Sequence, residues 1–334
     1  MDDSDPIDIL SSSLREAGIA SFGFLSGARL RAAAASLDGA ARSRCGLEDA
    51  RGAVVAALGY GEGPTEPPAW ARDCPGPLAT IARFARANWY AELSARLQRA
   101  AALSRARLTE AGGDPGPAAS WRRFVNSRLP EKRLALEAGL GEIGRHTLLM
   151  LPDRGSAAVL GLLLAPIDLP DSVPPALPGR VEEPPAGQRA PGISALCAGC
   201  GACVAACPTG ALGGEGGFDR ELCLQHWSSV PGELPSAVEA AWGDRLYGCD
   251  LCQEACPLFR PEPAARTERG LLGPGLPASW LEAAPESAIK AALRGSALGM
   301  GWISIEALKR NARHLTAASR MPTIREDGGN DGNL

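Results

Sequence analysis

The chain has 334 residues, 45% of them hydrophobic, which is enough for a buried core and more than one domain. Its formal net charge of −4 provides no whole-protein field for nucleic acid, and no apolar run approaches the length of a membrane span. The acidic start, Met1-Asp2-Asp3-Ser4-Asp5, is unlike a basic export signal, so cytoplasmic residence is expected, with no membrane partner.

In chain order, residues 7–18 have helical apolar spacing and end on Gly18. Val54–Tyr60 is a short apolar run that reads as a buried strand. The spacing of Ile81, Phe84, Trp89, Leu93 and Leu97 predicts one long helix over about 78–111. A further helix is expected over 131–138, stopped by Gly139 and Gly141. Two strands, 146–150 and 157–165, should follow, joined by the turn-rich Leu151–Ser156. Seven prolines between Asp168 and Pro191 mark a stiff linker. Short helices are expected at 201–206 and 234–242, with amphipathic helices at 279–293 and 303–318 and a polar, Gly-rich disordered tail from 322. The expected division is 1–167, linker 168–191, 192–260, 261–321 and tail 322–334.

Residues 192–260 carry the strongest chemical signal. Cys197-x2-Cys200-x2-Cys203-x3-Cys207-Pro208 is followed by Cys223 and then by Cys249-x2-Cys252-x3-Cys256-Pro257. Thiolates at this spacing converge on different irons of one cubane, while the Cys before proline is aimed at the other cluster. Two [4Fe–4S] clusters follow, one on Cys197, Cys200, Cys203 and Cys256, the other on Cys207, Cys223, Cys249 and Cys252. A disulfide framework is disfavoured because the first 190 residues hold only Cys45 and Cys74. A zinc ribbon leaves Cys203 and the two Cys-Pro ends unexplained.

Cys207-Pro208-Thr209-Gly210-Ala211 and Arg245-Leu246-Tyr247-Gly248-Cys249-Asp250-Leu251-Cys252-Gln253 closely resemble segments of the epoxyqueuosine reductase family. Ala50-Arg51, Ile81–Ala85, Ala138–Thr147 and Leu308–Ala312 extend the resemblance over most of the chain. The resemblance implies an α+β (α/β) architecture: a nitroreductase-like domain for base-off cobalamin, a ferredoxin-like two-cluster domain, and a short helical segment. It implies a cytoplasmic oxidoreductase that reduces epoxyqueuosine to queuosine in the tRNA anticodon stem-loop. The electron donor would be of the flavodoxin or ferredoxin kind, and the protein a monomer. It also places Asn126, Lys132 or Arg133, Gly141, Gly144, Arg145, His146 and Thr147 around the corrinoid.

The departures are equally specific. Asn126 stands where the family carries the aspartate that serves as proton donor, and an amide cannot act as an acid. A residue is missing near Arg128-Leu129, Ala91 replaces a histidine, and Leu162 replaces a glutamate. These changes fit an altered substrate, and they leave two alternatives. One is a non-catalytic electron-transfer or corrinoid-handling protein; the other is a reductive dehalogenase-like enzyme with a small-molecule substrate. Arg122, Arg123, Arg128, Lys132, Arg133 and Arg145 form either a phosphate track or a solvated face. Trp227, Trp242 and Tyr247 are expected to pack around the clusters, and Cys45 and Cys74 to be free thiols.

Overall fold

The computed structural model describes residues 5–172, 194–213, 217–263 and 265–320. Most of the expected linker and the whole expected tail lie outside them. The main sheet comprises β1 (Ser21–Ser26), β2 (Gly52–Gly59), β4 (Arg122–Val125) and β7 (Ala158–Ala165), in the order β1-β2-β7-β4 with every pair antiparallel. Successive side chains of a strand point to opposite faces, and here both faces are covered. Val54 and Leu163 enter a core built with helices Pro6–Glu16 and Trp89–Glu110. Val55, Leu162 and Leu164 enter another with helices Gly27–Ala33 and Glu131–Glu137. That is why Val54–Tyr60 reads as an unbroken apolar run instead of an alternating one.

A smaller sheet joins distant parts of the sequence. Its middle strand, β3 (Leu78–Ile81), runs parallel to β8 (Arg245–Tyr247) and antiparallel to β9 (Gly275–Pro277). Leu246, Leu276, Leu281, Leu293 and Leu308 pack with Ile81 and Ala85 into one core, so segments 78–85, 245–247 and 272–312 are held as one body. The third sheet is the hairpin of β5 (Glu142–Ile143) and β6 (Leu149–Met150).

Three expectations are corrected. The long helix begins at Trp89, because Leu78–Ile81 is recruited as a strand and Asn88 caps the helix by accepting the Ala91 N–H at 3.0 Å. The expected strand 146–150 is reduced to Leu149–Met150, since Thr147 adopts φ 65° and Thr147 N–H closes a turn onto the Gly144 carbonyl at 2.8 Å. The expected helix 279–293 is two helices, Ala278–Ala283 and Glu286–Leu293, broken at Pro285. Strands β1 and β4 have too weak an apolar pattern to be read in advance.

Candidate cluster and cofactor site

The eight expected ligands gather in two groups. Cys197 feels the charge of Cys256 and Cys200, and Cys203 that of Cys197 and Cys256. Cys249 feels Cys223, and Cys252 feels Cys249, Cys223, Cys203 and Cys207. Helices Ala202–Ala205 and Leu251–Glu254 pack together, bringing Cys252 against Cys203 and Cys207. Cys197, Cys200, Cys203 and Cys256 are thus near one another, as are Cys207, Cys223, Cys249 and Cys252, while Cys252 also feels Cys203 across the two sets. Left-handed glycines at 199 and 201 (φ 72° and 68°) turn the chain between the first three thiols. Among the described residues, no three His, Cys, Asp or Glu side chains close on a single metal ion; cubane ligation spreads four thiolates over separate irons.

Burial and neighbouring thiols push Cys252 up to about 12. Burial also pushes Cys207 upward, but hydrogen bonds from the Thr209 hydroxyl and from the backbone of Leu212, Thr209 and Ala211 outweigh it and leave that thiol below its ordinary value. Such hydrogen bonding stabilises the thiolate that ligation requires. Trp242 is buried and donates to the Arg245 carbonyl at 2.9 Å, and Trp227 donates to the Glu221 carbonyl at 2.7 Å, so both pack as expected. Cys45 and Cys74 are free.

The 139–147 loop lies against the first group of thiols. The Arg145 N–H donates to the Cys197 sulfur at 3.4 Å, its guanidinium reaches the Cys197 carbonyl, and Ser194 N–H binds the Ile143 carbonyl at 2.7 Å. Gly141 and Gly144 are required by close packing: a Cβ would lie 2.0 Å from the Met150 carbonyl oxygen and 2.6 Å from His146 Cε1, respectively. Asn126 (φ 49°) and Thr147 (φ 65°) are the two non-glycine residues with positive φ among those described. Helix Glu131–Glu137 ties both down. Glu131 Oε1 accepts from the Ser127 N–H (2.8 Å) and hydroxyl (3.0 Å), and Lys132 Nζ donates to the Thr147 carbonyl at 2.8 Å. Arg133 turns the other way and pairs with Glu137.

His146 is 4% exposed. Its Nδ1 accepts from the Leu148 N–H at 3.2 Å, so its proton resides on Nε2, and burial with Lys132 nearby lowers its pKa to about 4. Nε2 has no partner in the protein, and neither does the buried Glu142 Oε2 on the same hairpin. Each such buried, unpaired polar atom is costly unless a bound group satisfies it. A large ligand edged with amides, as a corrinoid is, offers both kinds of partner, so the residues fit it.

An open cleft of about 730 Å³ lies between helix Trp89–Glu110, β4 and residues 300–302, lined by Tyr90, Ala91, Ser94, Arg123, Val125 and Trp302 among others. Arg123 is fixed by Ser94 Oγ at 3.0 Å. Leu162 is fully buried in the core and contributes nothing polar to the site. Sequence reasoning missed Glu131, Gln253 and Trp302. Glu131 had a readable signal, as the carboxylate four residues after Ser127.

The profile of the 4Fe-4S double cluster binding domain matches residues 196–258. The structure of epoxyqueuosine reductase from Streptococcus thermophilus superposes with a TM-score of 0.69 at 19% identity, covering 94% of this chain and 81% of that one. The fold is that of the epoxyqueuosine reductases. A structure of epoxyqueuosine reductase with an epoxyqueuosine-modified tRNA-Tyr stem loop superposes with a TM-score of 0.61 at 21% identity, covering 92% of this chain and 80% of that one. Among curated proteins, the epoxyqueuosine reductase of Shewanella oneidensis is 34% identical over 189 residues, 56% of this chain and 43% of that protein. That of Vibrio cholerae is 37% identical over 145 residues, 43% of this chain and 34% of that protein. The chain thus aligns with less than half the length of these epoxyqueuosine reductases. It carries a double [4Fe–4S] cluster domain on a mixed helix-and-sheet scaffold, and no described helix is long and apolar enough to cross a membrane.

Proposed function

We propose that this chain is an iron–sulfur and cobalamin-dependent oxidoreductase that reduces the epoxide of epoxyqueuosine in a tRNA stem-loop, as a cytoplasmic monomer fed by a flavodoxin- or ferredoxin-like donor. One observation carries the reading: the loop that presents His146 Nε2 is hydrogen-bonded, through Arg145, to the thiol Cys197 of the first cluster group. When bound, the clusters supply low-potential electrons singly and the corrinoid a strongly reducing metal. Gly141, Gly144, Arg145, His146 and Thr147 would hold the corrinoid, His146 Nε2–H serving as a donor and Glu142 Oε2 as an acceptor. Lys132 keeps Thr147 in its left-handed conformation, so the loop is shaped before the ligand arrives. Arg123 and Trp302 in the open cleft suit a phosphate and a flat base, respectively.

The test is anaerobic turnover of epoxyqueuosine-tRNA by protein with reconstituted clusters and cobalamin, read by mass spectrometry of the nucleoside. Accumulation of queuosine is expected; none, with both clusters and corrinoid bound, sinks the reading. Asn126 favours a second reading, a corrinoid-handling electron-transfer protein, which that same negative result would select.

A further inference from the structure

Cys223 stands alone among the expected ligands, with no second thiol in its own turn, so local spacing does not hold it in place. It opens the one-turn helix Leu224–Trp227, its carbonyl accepting the His226 N–H at 3.0 Å and the Trp227 N–H at 3.3 Å. A helix this short leaves carbonyls at its end without partners of its own. Arg310, on helix Ile305–Arg320, supplies the donors there. Its guanidinium donates to the Trp227 carbonyl, to that of Val230 at 2.9 Å and to that of Gly232 at 2.7 Å. The Trp227 indole in turn donates to the Glu221 carbonyl, so Cys223 is bracketed on both sides.

The guanidinium is itself fixed. Asn311, fully buried, accepts through Oδ1 from Arg310 Nε at 3.1 Å and Nη2 at 2.9 Å. Its Nδ2 donates to the Ser228 carbonyl at 3.0 Å and to the Leu246 carbonyl at 2.8 Å. Leu246 lies just before Cys249, so one amide ties the Cys223 segment to the Cys249 segment. Arg310 also covers the Trp242 ring at 5.6 Å, and Trp242 packs with Leu224 against Cys249. A planar fork of five N–H donors can serve three carbonyls and an amide oxygen together, which an ammonium cannot. We propose that Arg310, oriented by Asn311, is the positioning residue for Cys223 and so for the set Cys207, Cys223, Cys249 and Cys252. Cys197, Cys200 and Cys203 share one stretch of tight turns and do not depend on this clamp. The proposal rests on the double-cluster domain and on the grouping of its thiols, and holds whatever the substrate is.

The experiment takes the full chain with clusters reconstituted anaerobically and reduced with dithionite, and reads iron content and both [4Fe–4S] electron paramagnetic resonance signals. It compares wild type, Arg310→Ala, Arg310→Lys and Cys223→Ala. Lys309→Ala, which removes a hydrogen bond from the same helix to the Glu282 carbonyl, is the control. We expect Arg310→Ala to lower severalfold the same signal that Cys223→Ala lowers, and to leave the other signal at the wild-type level. Arg310→Lys, which keeps the charge without the fork, should recover part of the lost signal, and Lys309→Ala should match wild type. Both signals intact in Arg310→Ala, or both lowered together, overturns the positioning role, as does the same selective loss in Lys309→Ala. A wild type that holds fewer than two clusters overturns the double-cluster reading as well.

Discussion

Lys132 Nζ lies 2.8 Å from the Thr147 carbonyl oxygen, joining helix Glu131–Glu137 to a threonine held at φ 65°. A single hydrogen bond of this kind contributes about 1 kcal/mol, comparable to the cost of a left-handed residue with a Cβ. Lys132→Met should release the loop with little change in global unfolding. Affinity for added cobalamin, followed by visible absorption, should drop about fivefold, the equivalent of that energy. Unchanged affinity would detach Lys132 from the corrinoid site.

Thr147→Gly removes the Cβ that makes this backbone expensive. We expect stabilisation of about 1 kcal/mol in urea unfolding, whereas a β-branched valine at 147 gains nothing because it keeps the same strain.

The partition of the thiols can be checked by spectroscopy. Cys200→Ala and Cys256→Ala should abolish the same [4Fe–4S] electron paramagnetic resonance signal, and Cys207→Ala and Cys223→Ala the other. If Cys256→Ala instead removed the signal lost with Cys249→Ala, the exchange of Cys-Pro ligands would be wrong.

Gln253, between Cys252 and Cys256, donates to the Tyr60 hydroxyl and to the Ser156 hydroxyl and carbonyl, each at 3.0 Å, all buried. This network fastens the cluster segment to the end of β2. Gln253→Leu strands those groups without partners, at a cost of about 2–3 kcal/mol in unfolding free energy, and should lower iron content on purification.

Stability should also depend on pH through Glu131. Its folded pKa, about 7, is raised above the ordinary carboxyl value, so the folded state binds the proton more tightly than the unfolded state does. This contribution is full below the ordinary carboxyl range and is lost as pH rises through 7. Relative to wild type, Glu131→Gln should therefore gain stability between pH 5 and 8, seen as a growing difference in urea midpoint; a constant difference would exclude the shift.

Chemistry encoded by spacing was legible in the chain itself. The three-residue steps of Cys197, Cys200 and Cys203, and the prolines after Cys207 and Cys256, state ligand order because ligation geometry is local to each turn. Helices followed closely by glycine, such as Pro6–Glu16 and Glu131–Glu137, were readable within a few residues for the same reason. Leu78–Ile81 was misread because its apolar residues also fit a helical period, and its strand partners lie about 165 and 195 residues away. Arg133 was an equal candidate to Lys132 until the direction of the helix face assigned one to Thr147 and the other to Glu137.

Residue identity and short spacing were enough to reveal a double [4Fe–4S] cluster domain and to nominate eight thiols for it. The chain's folding was needed to bring the 144–147 loop to Cys197, to leave His146 Nε2 without a protein partner, and to set Glu131 on Ser127 beside Asn126. Those facts arise from close packing between elements far apart in sequence, where a hydrogen bond of about 3 Å depends on positions that no local pattern encodes.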